Sequence, residues 1–216
     1  NSEFKFYAAM IAGFTLFIML ELIFRCNYEV EHAFRSSAFQ VVSFITTTGL
    51  FSDDAAKWPH VTWVVLAACM FFGGSSGSTS GGIKSIRGVM LVKVIKNEFR
   101  QILHPNAVLP MKVDGYNVQM CKRVTLLAFI GLYLFLAVIC AFTMIAAGID
   151  STNSMTITLS SLGNVGPTLG LEIGPTMSWN ELPDFAKWIS SFLMLVGRLE
   201  LFSVLVLFTP SFWKEN

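Results

Sequence analysis

Long apolar runs alternate along this chain with short runs rich in serine and threonine. A helix that crosses a bilayer needs about 20 predominantly apolar residues, and four runs approach that length. Residues 4–24 are interrupted only by Lys5 at the start and Glu21 near the end. Residues 58–72 are apolar but short, because a glycine-rich stretch follows. Residues 124–147 form the cleanest run. Residues 185–208 are apolar apart from Lys187 near the start and Arg198-Leu199-Glu200 deep inside. Two semi-apolar segments, 31–45 and 152–162, are too short to span. Each lies between two spans, which predicts a re-entrant helix.

Basic residues set the sidedness. Lys84, Arg87, Lys93, Lys96, Arg100, Lys112, Lys122 and Arg123 all fall between the second and third spans, which predicts a cytoplasmic segment. The connections around the short helices tilt acidic instead. Glu29, Glu31, Asp53 and Asp54 outnumber Arg35 and Lys57; Asp150, Glu172, Glu181 and Asp184 outnumber Lys187. Both connections then face outside, and both ends of the chain fall on the cytoplasmic side. An acidic outer mouth concentrates cations within a screening length of about 8 Å.

Composition supports a membrane protein: 54% of residues are apolar and only 13% are charged, too few to cover a soluble domain of this size. The net charge of +1 argues against nucleic acid as a partner. No signal peptide is visible, and the chain starts at Asn1; a fragment, a processed product and one chain of a split protein all fit. Cys26, Cys69, Cys121 and Cys140 show no CxxC spacing and read as small buried hydrophobes. His32, His60 and His104 are scattered, with no HExxH pattern. No cofactor is expected.

The order span, short polar helix, Thr/Gly-rich loop, span occurs over residues 4–101 and again over 119–212. Ser43-Phe44-Ile45-Thr46-Thr47-Thr48-Gly49-Leu50 stands beside Ser160-Ser161-Leu162-Gly163-Asn164-Val165-Gly166-Pro167. Thr47-Thr48-Gly49 thereby aligns with Asn164-Val165-Gly166. A repeat in a membrane protein implies pseudosymmetry with a shared site on the axis. Irregular backbone at membrane depth is tolerated only where it lines a watery path or is buried in protein. In such a unit the carbonyls can replace an ion's hydration shell, and the short helix aims its negative dipole end at a cation. Two ordinary outer loops with turn glycines would look alike singly; their matched placement favours the pore reading.

Two further features bear on a pore. Gly73-Gly74-Ser75-Ser76-Gly77-Ser78-Thr79-Ser80-Gly81-Gly82 interrupts the second span, and so many poor helix formers should break the helix. Gly77 and Gly82 are spaced as in a phosphate-binding loop, but Ile83 separates Gly82 from Lys84-Ser85 and the pattern fails. Arg198 would cost several kcal/mol near mid-membrane unless paired or facing a cavity. Lining the pore or capping backbone carbonyls would satisfy it. Local pairing with Glu200 is the alternative, although i,i+2 residues do not face each other on a helix. Glu21 reads as an outer-interface residue.

Together Thr46-Thr47-Thr48-Gly49-Leu50, residues 73–84 with their Ile83-Lys84 ending, Gly163-Asn164-Val165-Gly166-Pro167 and Gly197-Arg198-Leu199-Glu200 resemble the C-terminal half of the Trk/Ktr potassium transporter superfamily, Trk more than Ktr. The resemblance covers nearly the whole chain. It implies an all-α integral membrane fold, with a third repeat over 1–112 and a fourth over 113–216 of a four-repeat pore. Within that resemblance, K+ is held at filter carbonyls of Thr47, Thr48, Gly49, Asn164, Val165 and Gly166. Gly73, Gly74, Ser75, Ser76, Gly77, Ser78, Thr79, Ser80, Gly81 and Gly82 form an intramembrane gating loop, contacted by Arg198. Each filter loop departs from Thr-Val-Gly-Tyr-Gly and keeps one glycine, which implies looser selectivity. Implied partners are the N-terminal half with repeats one and two, a second copy of the full subunit, the lipid bilayer of a bacterial inner membrane, and a ring of nucleotide-binding regulatory subunits. The basic, proline-punctuated loop 98–114 is a docking surface for that ring, or else a solvated linker. The implied function is gated passive K+ conduction. A proton- or sodium-coupled K+ symporter, using Glu21 or Glu200, and a non-conducting scaffold are the alternatives. No nucleophile–base set or metal-ligand cluster suggests an enzyme.

Overall fold

The computed structural model describes every residue except 106–109, 170–178, 200, 210–211 and 214–216. Helix α1 (Ser2–Cys26) leads through a left-handed Asn27 into the short α2 (Val30–Ile45). Helix α3 (His60–Phe71) is followed by the glycine-rich loop and α4 (Ser85–Leu103). A hairpin of β1 (Lys112–Val113) and β2 (Tyr116–Asn117) precedes α5 (Met120–Ala146) and the short α6 (Ser151–Gly163). Helices α7 (Asp184–Arg198) and α8 (Leu201–Val206) follow. The expected segments and these helices agree to within a few residues at most ends, except in the last span.

At 1.5 Å per residue, α1 (25 residues) and α5 (27 residues) reach roughly 37 and 40 Å, enough to cross a hydrocarbon core of about 30 Å. Both pass as candidate membrane spans on length and hydropathy. Helix α3, with 12 residues, reaches only about 18 Å. It stops where Phe72 and Ile83 pair in a single parallel bridge that closes the glycine-rich loop. Helix α4 carries Arg87, Lys93, Lys96 and Arg100, as a segment leaving the apolar zone must.

The last apolar run is not one helix. Leu199 caps α7, and α8 starts at Leu201. This corrects the expectation of an unbroken span over 185–208. The physical reason is that Gly197 and Arg198 are drawn out of line into backbone contacts described below. Glu200, the proposed counter-ion, lies outside the described residues, as does Glu172.

Two large apolar cores form, one mainly from the first half of the chain and one mainly from the second. Ile18 and Leu22 of α1, Phe44 of α2, and Leu66 and Met70 of α3 form one. Met144, Ile157, Leu162 and Leu193, from α5, α6 and α7, form the other. Each core borrows from the other half of the chain: Val165 and Leu169 enter the first, Ile83 the second. Cys69 and Cys140 are buried as expected; Cys121, on the first turn of α5, is exposed instead. Apolar side chains such as Phe17 and Phe24 on α1 and Phe135, Val138 and Phe142 on α5 face outward. Contiguous apolar surface of this kind calls for lipid or a partner.

Candidate ion-binding loops and the loop packed against them

The residues after each short helix take the same backbone course. Thr47 and Asn164 are left-handed, both with φ 55°, and Gly49 and Gly166 have φ 73° and 106°. An offset of 117 residues carries each residue of the first loop to its counterpart. The amides of Thr48 and Val165 both donate back five residues, to the carbonyls of Ser43 (2.8 Å) and Ser160 (3.0 Å). The hydroxyls of the same serines steady the loops. Ser43 Oγ donates to the Leu50 carbonyl (2.7 Å) and accepts from the Leu50 amide (2.8 Å); Ser160 Oγ accepts from the Gly166 amide (3.1 Å). Because α2 and α6 end directly in these loops, their C-terminal dipole ends adjoin them.

The two loops touch through their backbones. A Cβ on Gly49 would lie 2.1 Å from the Val165 carbonyl oxygen, so no side chain fits there. Thr47, Thr48 and Gly49 are thus brought beside Asn164, Val165 and Gly166.

The glycine-rich loop packs on the end of α6. A Cβ on Gly81 would sit 2.2 Å from the Gly163 carbonyl oxygen and 2.8 Å from Asn164 Cβ. The loop also holds itself together. The Gly73 amide donates to Ile83 O (2.9 Å) and the Ser85 amide to Gly74 O (3.0 Å). The Gly74 amide donates to Ser80 Oγ (2.8 Å), and Ser85 Oγ to Gly73 O (3.0 Å). Lys84 Nζ donates to the carbonyls of Ser78 and Ser80. Arg198 Nη1 donates to the Thr79 carbonyl, a contact 119 residues away in sequence. Its neighbour Gly197 lies against the α6 end, where a Cβ would meet Leu162 O at 2.1 Å. These contacts bend the chain after α7. They also satisfy Arg198 with the carbonyl hydrogen bond expected of it.

Two cavities flank the loop. One of about 270 Å³ lies among Ser78, Thr79, Ser80, Lys84, Arg87, Tyr133 and Arg198, with the Arg87 guanidinium 4.0 Å above the Phe129 ring. The other, about 390 Å³, lies among Asn1, Glu3, Tyr7, Thr46, Gly74, Ser75, Ser76 and Ser78. Thr46 at the end of α2 and Ser76 at the tip of the glycine-rich loop therefore border the same space. Glu21 pairs with Arg25 at 2.8 Å near the end of α1, in keeping with an interfacial place. Among the described residues no group of three or more His, Cys, Asp or Glu could hold a metal. The expected docking loop 98–114 is not all loop: residues 98–103 are the end of α4 and 112–113 are β1, while 106–109 lie outside the described residues.

Sequence reasoning assigned no role to three residues here. Glu3, at the start of α1, is 8% exposed and accepts from Ser76 through both carboxylate oxygens, 2.6 Å from the amide and 3.0 Å from the hydroxyl. Lys84 counted toward sidedness, in the failed phosphate-loop pattern and in the family motif, and Gly197 only as part of a motif. The hairpin, by contrast, did carry a local signal: Val113-Asp114-Gly115-Tyr116 has an Asp-Gly turn pair.

Comparison with known proteins agrees with this geometry. The family described as TrkH, a cation transport protein, matches residues 4–215. The chain is 34% identical over 215 residues to the Trk system potassium uptake protein TrkH of Halomonas elongata, covering all of this chain and 44% of that one. It is 35% identical over 218 residues to the Escherichia coli K12 protein of the same name, again covering all of this chain and 44% of that one. The crystal structure of the potassium transporter TrkH from Vibrio parahaemolyticus superimposes with a TM-score of 0.92 at 33% identity, covering 99% of this chain and 45% of that one. The chain spans less than half the length of the relatives it matches.

Proposed function

The chain belongs to the TrkH family of cation transport proteins, and from that premise we propose that it supplies two of the four repeats of a gated K+ uptake pore. The observation that carries the reading is the pair of Thr/Gly loops, alike in backbone geometry and in contact at Gly49 and Val165, with the glycine-rich loop packed on the end of α6 at Gly81 and Gly163. Carbonyls of Thr47, Thr48, Gly49, Asn164, Val165 and Gly166 face K+ in the completed ring and replace its water. Residues 73–82 form the gate, and Arg198 holds it shut by bonding the Thr79 carbonyl. The positive charges of Arg198 and Lys84 beside the loop oppose cation entry in that state.

Residues 1–112 and 113–216 act as repeats three and four. Repeats one and two complete the ring, the whole subunit pairs with a second copy in a bacterial cytoplasmic membrane, and cytoplasmic nucleotide-binding subunits act on the side that carries α4 and the hairpin. Both ends of the chain lie on that side. Conduction is passive, down the K+ gradient, and permits Rb+ more readily than Na+. The test is rubidium-86 uptake into proteoliposomes holding the four-repeat protein, wild type beside a deletion of residues 74–82. Faster uptake that follows the concentration gradient is expected. Unchanged or abolished uptake by a folded deletion variant would remove the gating reading and favour coupled transport.

A further inference from the structure

The glycine-rich loop is held from a second side, by a connection that ends in the cytoplasmic hairpin. Glu3 grips the Ser76 amide and hydroxyl with a two-pronged carboxylate. Ionised acceptors make the stronger hydrogen bonds. The residue before it, Ser2, donates its amide (2.7 Å) and hydroxyl (2.8 Å) to Asp114 Oδ1. Asp114 sits at the turn of the hairpin with φ 48°, and Gly115 follows with φ 88°; two successive positive values make a type I′ turn. The two Ser2 donors, the backbone amide first, hold the Asp114 carboxyl below the usual carboxylate range.

The hairpin itself is anchored. Met111 packs with Val94 of α4 and Leu126 of α5, and Lys93 Nζ donates to the Lys112 carbonyl at 2.8 Å. It therefore ties the start of α1 to α4, the helix that begins one residue after the loop's Lys84. Tyr116 at the turn is 81% exposed.

We infer that Asp114, Ser2 and Glu3 form one latch through which movement of the cytoplasmic hairpin releases Ser76 and frees the intramembrane loop. Drawing the hairpin away from α1 breaks the Asp114–Ser2 pair, and the first turn of α1, pinned by Asn1 as its cap, shifts with Glu3. The loop then loses a fastening on the side opposite Arg198. The latch rests on reading residues 73–82 as the gate.

The experiment uses the full four-repeat protein in proteoliposomes, with rubidium-86 and sodium-22 uptake measured side by side. Glu3→Ala, Asp114→Ala, the double variant and the loop deletion are compared with wild type. Glu3→Ala is expected to raise rubidium uptake about tenfold, the scale of a charged hydrogen bond. Asp114→Ala should raise it in the same direction, the double variant no more than Glu3→Ala, and the rubidium-to-sodium ratio should stay at the wild-type value because the filter loops are untouched. Wild-type uptake by Glu3→Ala beside a fast deletion variant would overturn the latch and leave the gate standing. A deletion variant no faster than wild type would remove the gate itself. Wild-type uptake by Asp114→Ala beside a fast Glu3→Ala, or additive effects in the double variant, would sever the hairpin from the route. If either alanine variant fails to elute as folded protein, Glu3→Gln and Asp114→Asn are read by the same criteria.

Discussion

Gly81 and Gly77 are alike in sequence context and differ in what surrounds them. A Cβ at 81 would lie 2.2 Å from the Gly163 carbonyl oxygen, whereas at 77 nothing lies within 4 Å. Backbone cannot step aside as a side-chain end can, so Gly81→Ala must push the loop off the end of α6. Gly81→Ala is therefore expected to raise basal rubidium uptake, as is Arg198→Ala, which deprives the Thr79 carbonyl of its charged donor, a contact worth about 1.5–3 kcal/mol. Gly77→Ala should remain within about twofold of wild type, since an exposed loop substitution changes little. Equal uptake by Gly81→Ala and Gly77→Ala would show that the loop's contact with α6 does not control uptake.

At the scale of elements, each Thr/Gly-rich loop is an extension of a short helix, fastened by one serine. Ser43 makes two hydrogen bonds to Leu50 and Ser160 makes one to Gly166. Removing a hydroxyl leaves loop groups without partners at about 1–3 kcal/mol each where buried. Ser43→Ala should lower the rubidium-to-sodium uptake ratio several-fold and Ser160→Ala by less, with total flux retained; paired flux measurements check both the direction and the order. The short helices and their loops were legible because Thr/Gly-rich backbone between two spans has few physical uses. The break between α7 and α8 was not. Residues 185–208 are apolar enough for one helix, and only the approach of Gly197 to Leu162 O and of Arg198 to Thr79 O draws the chain aside.

For the whole molecule, the outward apolar faces of α1 and α5 and the contact between the two Thr/Gly-rich loops fit the proposed place of this chain in a four-repeat ring. Ion coordination at a shared axis needs carbonyls from all sides. Residues 1–216 reconstituted alone should give no rubidium uptake above empty liposomes, while co-expression with repeats one and two should restore it. Selective uptake by the isolated chain would mean that two copies close the ring. Each core's borrowing from the other half of the chain, Ile83 in one direction and Val165 with Leu169 in the other, makes the two halves one packed body.

The sequence by itself determined most of the helical segments, the likeness of the two loops, where the second span breaks and which family the motifs resemble. Apolar run length, glycine content and charge placement are local signals, and a bilayer leaves few ways to satisfy them. The tertiary structure alone decided which glycines are forced, that the last span bends, and that Glu3 reaches Ser76 and Asp114 reaches Ser2. Those contacts join residues 73 and 112 positions apart. A serine amide or a lone carboxylate carries no mark of a partner so distant, because only the packing of α1 against α4 and the seating of the hairpin bring them together.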